Sequence, residues 1–299
     1  MSASSASRAD GILLGVTFLA GLGWIFSREA VQSWPPMLFI GCRFALASLV
    51  LIPFGLRYYR FTGWGDIRKA LLTGAIMGFA MLFWVLGVSH ATQLGVGAFL
   101  ACLGTLLVPA AAWVMFRESS PFSIWLALAV ALVGVVFLAW DKGFSIEIAH
   151  IWFLCSAVLF AVLFNLNTRY AASLPIMQLV AIQLAVVGAI NIGVSAMLEP
   201  WPETTTAGMW GWFLASVFIA TSLRFLLQVY AQGQVPAARA ALIMMMEPVW
   251  TTVMAMIWYG EMLSANQWLG CGLILFALLM NRWRQIRKVF SKRDVAPGA

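Results

Sequence analysis

Apolar runs of about 20 residues recur from Gly11 to Arg282, separated only by short polar breaks. At 1.5 Å rise per residue, each is long enough to cross a hydrocarbon core of roughly 30 Å as a helix. Ten such runs are read, at about 11–31, 36–54, 69–88, 94–116, 122–140, 150–169, 175–197, 208–230, 236–258 and 264–282. Hydrophobic residues make up 63% of the chain and charged ones 10%, so almost nothing is left for a water-soluble domain. A globular enzyme is excluded, and the expected fold is an all-α polytopic membrane protein. The first run has no small-x-small cleavage site before Arg28 and Glu29, and is read as a span rather than a signal peptide.

The net charge of +7 is explained by its distribution. With the N-terminus inside, the inner loops and tails carry Arg8, Arg57, Arg60, Arg68, Lys69, Arg117, Arg169, Arg239, Arg282, Arg284, Arg287, Lys288, Lys292 and Arg293. Only Arg28 and Lys142 fall outside, while Arg43 and Arg224 lie within spans. This is the positive-inside pattern, which places both termini in the cytoplasm of a bacterial-type inner (plasma) membrane. The basic C-terminal tail suits anionic lipid heads rather than nucleic acid. Cys42, Cys102, Cys155 and Cys271 all fall in spans without metal-ligand spacing, and no metal or cofactor is expected.

An internal repeat organises the spans. Pro36 and Pro175 each open one, Pro109 and Pro248 each interrupt one, and both pairs are 139 residues apart. Each repeat then holds five spans. Because five is odd, the second copy enters the membrane in the opposite sense. The expectation is two inverted five-helix repeats, 11–140 and 150–283, flanked by a cytoplasmic tail (1–10) and a basic one (284–299). Such architecture is common among secondary transporters, whose substrate sites lie at the repeat interface.

Several stretches also resemble one family. They are "GLGWIFSREA" in span 1, "PPMLFIGCRFALASLVLIP" in span 2, "VPAAAWVMFRESS" ending span 4, and "EPVWTTVMAMIWYGEMLSANQWLGCGLILFALLM" over spans 9 and 10. The chain resembles the drug/metabolite transporter superfamily in its EamA-type ten-helix form, over about residues 11–283. Within it, the aromatic content looks most like bacterial aromatic amino-acid exporters of the YddG type. One departure is that "RESS" lacks the basic residue that usually follows the glutamate. The resemblance implies a central cavity lined by spans 1, 3, 4, 6, 8 and 9.

Three formally charged side chains lie well within spans: Arg43, Arg224 and Glu247. A charge at the bilayer centre costs at least about 2.5–3.5 kcal/mol, so such groups pair with one another or face a polar cavity. Glu247 is half of an ion pair that locks helices, an acid that senses substrate or exchanges a proton, or part of a solvated cavity wall. Arg43 is read as structural. If one arginine pairs with Glu247, the three charges sum to +1, and the spare cation would attract an anionic group. Arg224 is the expected candidate. Pro248 cannot donate a backbone bond to Met244, so span 9 should kink or loosen there, as span 4 should at Pro109. Gly97, Ala101 and Gly104 give span 4 a face for close packing.

Phe79, Phe83 and His90 recur at spacings of three or four on span 3, as Phe160 and Phe164 do on span 6. Trp24, Phe99, Asn165, Gln228 and Tyr230 complete the candidate binding set. The competing explanations for these groups are lipid-facing stripes, interhelical hydrogen bonds and the interfacial aromatic belt. The combined reading is a secondary transporter that moves a small metabolite outward, preferably an aromatic or large neutral amino acid. Aromatic rings would stack on its side chain, Arg224 would favour its carboxylate, and Glu247 or His90 would meet its ammonium or exchange a proton. The rivals are an exporter of cationic drugs and a passive metabolite channel. An intramembrane enzyme lacks its signatures: the histidines are only His90 and His150, and no lysine lies in the interior of a span. The expected partners are a small-molecule substrate and the lipid bilayer.

Overall fold

A computed structural model describes residues 3–56, 63–117, 122–140, 147–170, 176–202, 207–224, 227–228, 231, 243–244 and 246–291. They are helical throughout, with no strand among them. The helices are α1 (Ala3–Ala30), α2 (Pro36–Leu56), α3 (Trp64–His90), α4 (Leu94–Phe116), α5 (Phe122–Trp140), α6 (Ile148–Tyr170) and α7 (Ile176–Leu198), followed by α8 (Ala207–Val217), which runs on into a π-helical turn (Phe218–Leu223), then α9 (Glu247–Tyr259) and α10 (Ala265–Ser291). Five of them, α1, α2, α3, α6 and α7, are long and apolar enough to cross a membrane. The α4 helix makes a sixth such span if its two arms, which meet at 43° around Pro109, are counted together.

The helix ends follow from local chemistry plus distant partners. Pro36 opens α2, where its missing N–H would be unpaired in any case. The next two amides, of Met37 and Leu38, donate to the two carboxylate oxygens of Glu199 at 3.0 Å each. Likewise the amide of Leu94, at the start of α4, donates to Glu261 at 2.9 Å. A carboxylate at a helix N-terminus satisfies orphan donors and opposes the helix dipole. Both caps arrive from more than 160 residues away along the chain. Gly260 ends α9 in the left-handed conformation (φ 65°), which a residue without Cβ adopts freely.

Span 9 is interrupted beside Pro248. Met246 lies in a turn and helix α9 begins at Glu247, so Pro248 stands in the first turn, where no hydrogen bond is lost. Residues 232–242 lie outside the described set.

The helices pack in pairs: α2 on α7, α5 on α10, α3 on α6 and α7, α4 on α6 and α9, and α1 on α8 and α9. Exchanging α1–α5 for α6–α10 maps the α1/α8 contact onto α3/α6, α1/α9 onto α4/α6 and α2/α8 onto α3/α7. The α2/α7, α4/α9 and α5/α10 contacts map onto themselves. Small residues let these backbones approach, as membrane helices require. A Cβ at Gly41 would stand 2.6 Å from Ile192, across the α2/α7 contact. Phe153 of α6 is fully buried and wedges between Gly87 of α3 and Gly97 of α4, where added Cβ atoms would come within 2.7 and 2.5 Å of its ring. Large apolar side chains such as Leu49, Val158 and Phe276 face outward, as a lipid-facing surface allows.

Candidate functional site

A cavity of about 370 Å³ opens between α1, α2, α3, α4, α6, the π-helical turn and α9. That volume suits a small metabolite. Its walls are mostly apolar, with Trp24, Phe44, Met81, Trp84, Phe160 and Phe164 among them. Its polar groups include Arg43, Asn167, Thr221, Arg224 and Glu247.

Glu247 is the first residue of α9, where the helix dipole favours a carboxylate. Its Oε2 pairs with Arg224 Nη2 at 3.1 Å, and both side chains are about one-quarter exposed. Its Oε1 accepts a hydrogen bond from Trp24 Nε1, also at 3.1 Å. The Trp24 ring in turn meets Trp84 edge-on, with centroids 4.8 Å apart, and lies 5.6 Å from Phe153. The acid is thus held by a cation on one oxygen and an indole on the other, beside an aromatic cluster.

Arg43 is placed differently. It is only 5% exposed, yet it lines the same cavity. Its Nε donates to Thr221 Oγ1 at 2.6 Å, its Nη1 to Ser27 Oγ at 2.8 Å and its Nη2 to the Ala220 carbonyl at 3.5 Å. Among the described residues no carboxylate lies within ion-pair distance of it. Thr221 lies within the π-helical turn, a local swelling of the helix that recurs at functional sites. The ion pair therefore falls on Arg224, and Arg43 is the cation left without a carboxylate, where the sequence pointed to Arg224 for that part.

The remaining candidates divide. Phe164 lines the cavity, and Pro248 is buried beneath Glu247 in the first turn of α9. Phe79 faces outward and is 48% exposed, while Phe83 stacks on Trp152 at 5.6 Å. Phe99 is buried in the core. Asn165 donates to the carbonyls of Val108 and Ala161 at 2.9 Å each, which ties α6 to α4 at its bend. His90 sits exposed at the end of α3, with Nδ1 2.9 Å from Ser89 Oγ and from the Leu86 carbonyl. Gln228 is half-buried and outside the described lining, and Tyr230 lies outside the described residues. Trp84, Ser27 and Thr221 escaped the sequence reading. Met77, Met81 and Trp84 repeat at the same three-to-four spacing as Phe79 and Phe83, so periodicity alone cannot say which stripe faces inward.

Polar contacts join the helices at one end of the bundle. Arg28 Nη1 on α1 donates to the Val88 and Ser89 carbonyls of α3. Trp258 Nε1 donates to Glu29 at 3.2 Å, Gln267 to Gln93 at 2.6 Å, and Gln93 to the Met262 carbonyl at 3.2 Å. Together with Glu261 they join α1, α3, α4, α9 and α10.

Long apolar helices around a charged cavity define a multi-pass membrane protein with a site for a small solute. The chain belongs to the EamA-like transporter family, whose profile matches it twice, over residues 7–140 and 147–283. It is 24% identical to an uncharacterized transporter of Archaeoglobus fulgidus over 91% of this chain and 85% of that one. It is also 24% identical to the uncharacterized inner membrane transporter YedA of Escherichia coli K12, over 90% of this chain and 89% of the relative. A solved crystal structure superposes on 96% of this chain and 99% of its own length, with a TM-score of 0.61 and 19% identity, a likeness of fold. The role of the protein is membrane transport.

Proposed function

We propose that this chain is a ten-helix secondary transporter built from two inverted five-helix repeats, with both termini in the cytoplasm of an inner (plasma) membrane. It exports a small zwitterion, preferably an aromatic or large neutral amino acid, by alternating access. The twofold match to the family profile and the exchange symmetry of the helix contacts support the repeat reading. The observation that carries the substrate reading is the cavity itself, where an acid and two arginines are set against Trp24, Trp84, Phe44, Phe160 and Phe164. A zwitterion can exchange partners with such charges without leaving a buried ion uncompensated, which a neutral solute cannot do. Glu247 already pairs with Arg224, so a lone cation is a poorer match than a zwitterion. The polar contacts around Arg28 and Gln93 lie on the side that the basic-residue pattern assigns to the exterior. They act as the outer gate in this reading.

Counterflow in proteoliposomes tests it, with a panel of labelled amino acids and cationic drugs. Saturable exchange of phenylalanine against an internal load is the expected result. Exchange of a drug but of no amino acid would sink the substrate assignment, and flux without saturation or counterflow would indicate a channel.

A further inference from the structure

Arg43 and Arg224 share one cavity, but only one of them is neutralised by the protein as described. Arg224 has Glu247 at 3.1 Å, whereas the described partners of Arg43 are two hydroxyls, a backbone carbonyl and the rings of Phe39 and Phe44. The ring centroids lie 5.8 and 5.7 Å from its guanidinium carbon, and none of these partners carries a negative charge. The hydroxyls have no freedom to act otherwise. Thr221 Oγ1 spends its proton on the Ser216 carbonyl at 2.9 Å, and Ser27 Oγ spends its own on the Gly23 carbonyl. Their lone pairs are therefore turned toward the guanidinium, which they orient but cannot neutralise. Guanidinium has five N–H donors, and these contacts occupy one each on Nε, Nη1 and Nη2. One donor on each terminal nitrogen has no described partner, and a carboxylate is an acceptor for such donors. Gly23 flanks this edge: a Cβ there would lie 3.7 Å from Nη2 and 3.1 Å from the Ala220 Cβ. Its bare backbone keeps the guanidinium edge open toward the cavity that both residues line.

A cation this deeply buried is costly unless an anion answers it. An incoming carboxylate would have to displace Glu247 to reach Arg224, but nothing charged to reach Arg43. We propose that Arg43 is the carboxylate subsite of the cavity, taking the anionic end of an aromatic monocarboxylate or amino acid. Glu247 takes the ammonium end. Thr221 and Ser27 are positioning residues, and the π-helical turn exists to bring Thr221 and Ala220 against the guanidinium. The inference deepens the transport reading and depends on it for the direction of use, not for binding.

Isothermal titration of the purified full chain separates the two. The probes are 3-phenylpropanoate, which has the carboxylate alone, and 2-phenylethylamine, which has the ammonium alone. In wild type the carboxylate probe binds. Arg43→Gln weakens it by about 10- to 100-fold, the scale of a lost charge-assisted hydrogen bond, and leaves 2-phenylethylamine unchanged. Arg43→Lys recovers part of the loss. The double variant Arg224→Gln/Glu247→Gln keeps carboxylate binding and loses amine binding. The proposal is overturned if wild type does not bind the carboxylate probe, or if a folded Arg43→Gln protein binds it as wild type does. It is equally overturned if the double variant loses it, and that outcome stands even where Arg43→Gln fails to fold. A wild-type protein that binds 3-phenylpropanoate through Arg43 but shows no amino-acid counterflow would refute the export reading alone.

Discussion

Glu247→Gln isolates the one ion pair found among the described residues of the cavity. At 3.1 Å and an effective dielectric of about 20, two unit charges attract by about 5 kcal/mol. Desolvating a pair that is three-quarters buried cancels several of these, leaving a net contribution of about 2 kcal/mol. The glutamine oxygen can still accept from Trp24 Nε1, so that bond survives the change. Arg224 fares worse, because its Nε is already buried without a partner among the described residues. Losing the carboxylate therefore strands the cation, and Glu247→Gln should cost about 2–3 kcal/mol. Arg224→Gln should cost a similar amount, and the double variant little more than either single. The resulting coupling of about 2 kcal/mol is measurable by a double-mutant cycle of equilibrium unfolding in mixed micelles. If the two single effects add to within about 0.5 kcal/mol, the pair does not form and the charge scheme of the cavity is wrong.

Three further outcomes are expected. Gly97→Ala drives a Cβ to 2.5 Å from the Phe153 ring and should destabilise by about 1–3 kcal/mol, with Phe153→Leu relieving the clash; wild-type thermal stability in the single variant would refute the wedge. Burial raises the Glu261 carboxyl above its ordinary 4.5, against the opposing pull of the Leu94 and Gly95 amides and the Arg28 charge. The folded state thus holds this proton more tightly than the unfolded chain does. The stability that this confers is fully present below pH 4.5 and is lost as pH rises through the raised folded value. Glu261→Gln removes that slope from a series of unfolding midpoints against pH, and an unchanged slope would remove Glu261 from the account. Cys102 lines the cavity, and with Cys42, Cys155 and Cys271 replaced by alanine it should react with a small methanethiosulfonate and be protected by phenylalanine. Labelling that substrate leaves unaffected would place the binding site elsewhere.

Helicity, the approximate positions of the spans and the uneven distribution of basic residues are all readable along the chain, because each depends on the local run of side chains. The proline pairs are legible for the same reason, and the family profile matches the chain twice, over residues 7–140 and 147–283. That three ionisable groups would have to answer one another followed from the cost of burying any of them singly. Which arginine meets Glu247 did not. A helix turns by 100° per residue, so the partner of a side chain depends on rotations about several axes that only packing sets. The same ambiguity hid Trp84 behind Phe79 and Phe83, two stripes of equal periodicity on opposite sides of α3. The π-helical turn that carries Thr221 to Arg43 has no signature in "FIATSL", and the caps that Glu199 and Glu261 place on α2 and α4 join segments far apart in the chain. Local hydrophobicity determined what this chain is made of; the choice among partners for its few buried charges belonged to tertiary packing alone, because those partners become neighbours only once the helices have met.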